Sequence, residues 1–282
     1  MERLTEVHGS LLEGCLWDER SGRLYFLDIE EKRIYCRYGD GRLEKMEMPA
    51  YVSCIVKNRK GGLTAAVQDG LYDVDFDRRE AQKRMDSGFS PHLRYNDGKC
   101  DPMGNFWVGT MFARQEMEGA RRGGSLYCIH HHQVAGRYDG YTIPNGLDWD
   151  MDRGLFYHTE TSSKVIRVYR FSRETGVLGE NIRELDLSNQ EGSPDGMCLD
   201  REGRLWIAMW GGYQVLVFDP ESQNVLRRIP VPDENVSCCC FGGSGMDQLY
   251  ITTAKNEKGQ GGELYVCSVN QEGKAAYDYE GE

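Results

Sequence analysis

Six apolar runs of β character recur along the chain. They begin at Leu24, Leu63, Phe106, Leu155, Leu205 and Leu249, separated by 39, 43, 49, 50 and 44 residues. A period of roughly 40–50 residues marks an array of supersecondary units. The fifth unit shows the pattern most plainly. A short run over residues 197–200 ends at the turn Arg201-Glu202-Gly203, and the strand-like Leu205-Trp206-Ile207-Ala208-Met209 follows. Gly211-Gly212 then turns the chain into Gln214-Val215-Leu216-Val217-Phe218, and Asp219-Pro220-Glu221-Ser222 turns it again before residues 225–229 resume extended character. Four short β-rich runs with turn residues between them predict a four-stranded meander. No stretch has sustained helical periodicity behind a starting cap, so the chain reads as almost wholly β. Six such units predict an all-β fold, a six-bladed β-propeller with four-stranded antiparallel blades, as a single domain over 1–282. A two-layer sandwich would give no reason for the sixfold repeat. Two closures of the ring are open: a strand from residues 5–8 added to the last blade, or completion by the tail after Gly273.

A polar residue recurs at one phase of this repeat. Asn96, Asn145 and Asp195 each stand 10 residues before their apolar anchor, as does Ser53. Glu13 stands 11 before Leu24 and Ser237 stands 12 before Leu249. Units arranged about an axis would bring these side chains together. Glu13, Asn145 and Asp195 then offer two carboxylates and an amide carbonyl, oxygen donors suited to a hard divalent cation such as Ca²⁺, Mg²⁺ or Mn²⁺. Taken singly, Asn or Asp before Gly forms turns and caps; a turn preference does not explain convergence. Arg94 stands two residues before Asn96, on the same face of an extended chain, where an Arg and an Asn would suit a hydroxylated or anionic substrate. Asp97, Gly98 and Asp101 read as turn residues.

Composition narrows the function. Thirty-four glycines against eight prolines suit many tight hairpins. The net charge of −11 disfavours nucleic acid and anionic membranes as partners. The doublets Arg121-Arg122 and Arg227-Arg228 are isolated. The N-terminus lacks the apolar run of a signal peptide, and nothing approaches the ~20 apolar residues of a membrane span. The expectation is a soluble, cytoplasmic monomer or weak homo-oligomer. Ten cysteines are scattered without a C-x-x-C pair, which reads as buried free thiols in a reducing compartment.

Other chemistries find little support. His130-His131-His132 reads as a solvated hairpin turn, His158 as a packed strand residue, and His92 as a rim residue. There is no G-x-S-x-G elbow and no Walker loop. The polar run from Arg94 to Asp101 lacks the ligand order of an EF-hand. The aromatic residues recur at strand phase and read as packing between units.

The strings Arg94-Tyr95-Asn96-Asp97-Gly98-Lys99, Gly109-Thr110-Met111, Asn145-Gly146-Leu147-Asp148-Trp149, Pro194-Asp195-Gly196-Met197-Cys198 and Ser237-Cys238-Cys239, in this order, resemble the senescence marker protein, regucalcin and gluconolactonase family over nearly the whole chain. The resemblance implies a six-bladed propeller with one divalent cation (Ca²⁺, Zn²⁺, Mn²⁺ or Mg²⁺) in its axial channel, and metal-dependent hydrolysis of a small-molecule sugar lactone. It implies Glu13, Asn145 and Asp195 as metal ligands, Arg94 and Asn96 as substrate contacts, and Asp195 as catalytic base or water-positioning group. Two departures stand out. Cys15 occupies the place of the family's Pro after the metal-binding Glu. Arg114, with Glu116 close by, falls near the place of a lid Glu that touches sugar hydroxyls, which leaves open an anionic or differently hydroxylated lactone. A non-catalytic calcium-binding protein of the regucalcin type is the alternative function, and a docking scaffold a third.

Overall fold

A computed structural model describes residues 1–281. Its elements are β-strands apart from one 3-10 turn. The short β1 (Glu2–Arg3) is followed by a meander of β2 (Leu12–Asp18), β3 (Arg23–Asp28), β4 (Arg33–Arg37) and β5 (Leu43–Glu47). The second meander is β6 (Val52–Asn58), β7 (Leu63–Val67), β8 (Gly70–Asp75) and β9 (Glu80–Asp86). The third is β10 (Leu93–Cys100), β11 (Phe106–Phe112), β12 (Gly124–His130) and β13 (Gln133–Tyr141). The fourth is β14 (Pro144–Asp150), β15 (Leu155–Glu160), β16 (Val165–Phe171) and β17 (Leu178–Asp186). The fifth is β18 (Ser193–Leu199), β19 (Leu205–Trp210), β20 (Gln214–Asp219) and β21 (Asn224–Pro230). The sixth runs β22 (Asn235–Gly242), β23 (Gln248–Ala254) and β24 (Leu264–Ser268), and its fourth strand is β1.

The apolar residues explain how these sheets curl into one body. Each of six core clusters joins two consecutive meanders, and one of them joins the sixth back to the first. Both faces of the first three strands of a meander are therefore covered, and these strands read as near-continuous buried runs. Outermost strands such as β9 are exposed and charged, which protects a free edge from pairing with other chains. The first strands follow one another around the centre: β2 packs on β6, β6 on β10, and so on to β22, which returns to β2.

Acidic residues pin the turns between first and second strands. Asp101 accepts the backbone N–H of Met103 and Asn105 and the Trp107 indole N–H; Asp200 does the same for Glu202, Arg204 and Trp206. Burying these carboxylates is possible because every oxygen is bonded. Asp101 is thus a turn residue, as its sequence context predicts.

Chain closure takes neither expected route. The closing strand is Glu2–Arg3, upstream of residues 5–8, because Leu4 N–H then reaches the Leu264 carbonyl and Gly9 N–H the Gly262 carbonyl. The tail after Gly273 does not join the sixth meander as a strand. It crosses to the second, where β25 (Asp278–Tyr279) lies parallel to β6.

Candidate functional site

The six repeat-phase residues fall one to each first strand: Glu13, Ser53, Asn96, Asn145, Asp195 and Ser237. All six are buried. At every one the pairing with the second strand slips. The register jumps between Glu13 and Leu16, Val52 and Cys54, Tyr95 and Gly98, Pro144 and Leu147, Pro194 and Met197, and Val236 and Cys238. A β-bulge bends its strand and re-aims a side chain, so six bulges at one level turn one polar residue per meander inward. Asn145-Gly146 and Asp195-Gly196 therefore sit in mid-strand bulges, where local sequence alone suggests turns. Their glycines serve close approach. A Cβ on Gly146 would stand 2.4 Å from the Asp195 carbonyl oxygen, and one on Gly196 2.9 Å from Cys238 Cα.

The amides and one hydroxyl of this ring hold neighbouring strands together. Asn96 Nδ2 donates to the Pro144 carbonyl at 2.8 Å, just before Asn145. Asn145 Nδ2 donates to Thr161 Oγ1 at 3.1 Å, and Thr161 donates to the Pro194 carbonyl at 2.7 Å, just before Asp195. Ser237 Oγ donates to the Leu12 carbonyl at 2.6 Å, just before Glu13. Each bond reaches the residue that precedes the next meander's ring residue. Ser237 is therefore a structural link between the sixth and first meanders. Ser53 Oγ finds no partner.

The chain of links is missing at Ser53 and at the acids Glu13 and Asp195, whose ionised carboxylates can only accept. Burial, then the nearby Asp97, pushes the Glu13 carboxyl up to about 8. Burial, then Glu13 and Asp97, holds Asp195 well above the usual carboxylate range, while Arg94 and a hydrogen bond from Asn145 pull it down. Asp97 thus departs from its reading as a turn residue. The bulge sets Asn96 and Asp97 together opposite Gly109, and Asp97 joins the acidic group. Burial raises its own carboxyl, against Lys99. Lys99 Nζ bonds Asp148 Oδ2 and the Met197 carbonyl, both at 2.9 Å. Arg94 Nη1 donates to Asn96 Oδ1 and the Tyr95 carbonyl, both at 2.8 Å. Burial lowers this guanidinium, while Glu13 and Asp195 oppose the shift.

Four carboxylates (Glu13, Asp97, Asp148 and Asp195) and two cations (Arg94 and Lys99) act on one another here. With all groups ionised the balance is two negative charges. A divalent cation neutralises that balance, and Glu13, Asn145 and Asp195 offer it oxygen donors, so the residues present fit the group. Among the described residues no three His, Cys, Asp or Glu side chains form a metal cluster; the expected set has two acids and an amide.

The remaining candidates lie elsewhere. Arg114 and Glu116 are exposed on the connection from β11 to β12, and His92 is exposed. His131 and His132 form the left-handed two-residue turn between β12 and β13. All ten cysteines are free. Seven of them line a cavity of about 70 Å³ beside Asp97 and Lys99, with Ala276 and Tyr277 of the tail among its walls. A larger cleft of about 800 Å³ lies among residues of the first and second meanders. Several of its charges are already paired, Arg23 with Asp77, Arg84 with Asp73 and Arg59 with Glu280, and it contains no ring residue.

This all-β fold has known counterparts. A sequence profile of the SMP-30/Gluconolactonase/LRE-like region matches residues 11–255, and the chain belongs to this family. It is 33% identical over 252 residues to a putative sugar lactone lactonase of Bacillus subtilis, covering 87% of this chain and 84% of that protein. It is 32% identical over 245 residues to regucalcin of Danio rerio, covering 86% and 82%. Its backbone matches a calcium-binding protein, regucalcin, of Agrobacterium tumefaciens with a TM-score of 0.91 at 24% identity, over 98% of this chain and 96% of that one.

Proposed function

We propose that the chain is a single-domain, six-bladed β-propeller over 1–282 that hydrolyses a sugar lactone at a divalent-cation site on its axis. The observation that carries this reading is that Glu13, Asn145 and Asp195, buried on three different first strands, come close enough for Glu13 to raise the Asp195 carboxyl and for Asn145 to hydrogen-bond it. Family membership adds the reaction class.

In this reading Glu13, Asn145 and Asp195 hold the cation. When bound, the cation supplies Lewis-acid polarisation of a carbonyl oxygen. Asp195 also presents a carboxylate oxygen to the attacking water and takes its proton as general base. Water adds to the lactone carbonyl carbon, the ring C–O bond breaks, the proton held by Asp195 passes to the released ring oxygen, and a hydroxy acid leaves. Arg94 orients substrate oxygens. Its Nη1 is committed to Asn96 and Tyr95, which aims the guanidinium and leaves other N–H groups for the substrate. Asn96, held on the Pro144 carbonyl, supports that aim and contacts substrate with its remaining N–H.

The test is acid release from a panel of five- and six-membered sugar lactones with Ca²⁺, Mg²⁺, Mn²⁺ and Zn²⁺ in turn. Metal-dependent turnover is expected, with Asp195→Ala and Glu13→Gln each abolishing it. Full activity after chelation and dialysis would overturn the reading.

A further inference from the structure

The hydrogen bonds around Thr161 have only one consistent direction. Its hydroxyl lies 2.7 Å from the Pro194 carbonyl oxygen and 3.1 Å from the Asn145 amide. A hydroxyl has one proton and two lone pairs. The carbonyl can only accept, so the proton goes to Pro194. Lone pairs alone then face Asn145, and Asn145 must present its NH₂ end. Its carbonyl oxygen is turned the other way.

Thr161 is itself held firmly. It opens the 3-10 turn Thr161–Ser163, and its own N–H donates to the Ile143 carbonyl at 3.1 Å. The buried Glu160 before it accepts the N–H groups of Thr142 and Ile143 at 2.9 and 3.0 Å and the Ser162 hydroxyl at 2.7 Å. The segment that carries Asn145 and the turn that carries Thr161 are thereby fixed to each other. The same hydroxyl reaches the strand of Asp195 through Pro194.

We propose that Thr161 is a positioning residue for the ring: it sets which end of the Asn145 amide is free as an oxygen donor and ties the Asn145 strand to the Asp195 strand. The inference rests on the proposed cation site. Partners that orient metal ligands typically contribute 10–100-fold to affinity. Thr161→Val keeps the shape and removes the hydroxyl, leaving the Asn145 amide with Asp195 as its remaining side-chain partner. Thr161→Ser keeps the hydroxyl, and Thr161→Cys replaces it with a weak donor.

Calorimetric titration with Ca²⁺, Mg²⁺, Mn²⁺ and Zn²⁺, alongside thermal unfolding of each apo protein, provides the test. The expected affinity order is Thr equal to Ser within about threefold, then Cys, then Val weaker by about 10–100-fold, with similar unfolding temperatures. A purely structural role would lower the unfolding temperature and leave affinity in the folded protein unchanged. If Thr161→Val does not fold, Cys against Ser carries the comparison. Wild-type affinity in the Val or Cys variant overturns the inference and leaves the cation site standing. Absence of cation binding by the wild-type chain overturns both.

Discussion

Replacing His158 by Phe tests how a buried titratable group limits this fold in acid. His158 lies in β15, with its ring 4.9 Å from Tyr141 and 5.8 Å from Phe156. Neither ring nitrogen has a hydrogen-bond partner. Burial, assisted by Arg167 opposite it in β16, lowers its pKa from 6.5 to about 3. The folded chain therefore keeps the ring neutral while the unfolded chain takes up a proton below pH 6.5. Between these values the unfolded state binds the extra proton, so stability falls as pH falls. The loss is about 1.4 kcal/mol per pH unit, or about 2 kcal/mol at pH 5 relative to pH 8. His158→Phe removes that term and keeps the aromatic contacts; any packing cost of the larger ring is independent of pH. Urea unfolding of both proteins at pH 5 and pH 8 isolates the difference. The variant is expected to gain about 2 kcal/mol on the wild type between pH 8 and pH 5. A gap that stays the same at the two pH values would refute the reasoning.

The bulge and the tail yield further expectations. Gly146→Ala forces a methyl group against the Asp195 carbonyl, and an unfolding titration should show a loss of about 1–3 kcal/mol or more. Ser237→Ala leaves the buried Leu12 carbonyl without its side-chain donor and should cost about 1–3 kcal/mol in the same assay. Tyr279 is fully buried, and its hydroxyl accepts the His132 N–H. Tyr279→Ala should cost about 3–5 kcal/mol and speed alkylation of the cavity cysteines, read by mass spectrometry. Unchanged labelling would mean that the tail does not shield them.

The repeat was legible because strands alternate with turns at a steady period, and each apolar anchor does begin or closely follow the start of a second strand. The ring was legible because it shares that phase. The bulges were not. Asn-Gly and Asp-Gly carry the local chemistry of a turn, and only pairing with the next strand shows that the extra residue is absorbed without reversing the chain. Asp97 was misread for the same reason. Thr161 gives no signal at all: its role comes from a turn between β15 and β16 that folds back over Asn145. The closing strand is two residues long, too short for any alternation to reveal, and the parallel tail strand is equally brief.

The pairing of β1 with β24 also constrains synthesis. Glu2 and Arg3 must wait for a strand that ends at Ser268. At ~5–20 residues per second this is roughly 13–50 s. Throughout that interval the side of the first meander bearing Leu12, Leu24 and Phe26 has no sixth meander to cover it. The first meander thus gains its sixth-meander neighbours only late in synthesis, and a chain stalled before the sixth meander leaves the ribosome with an apolar sheet face open to any other unfinished copy.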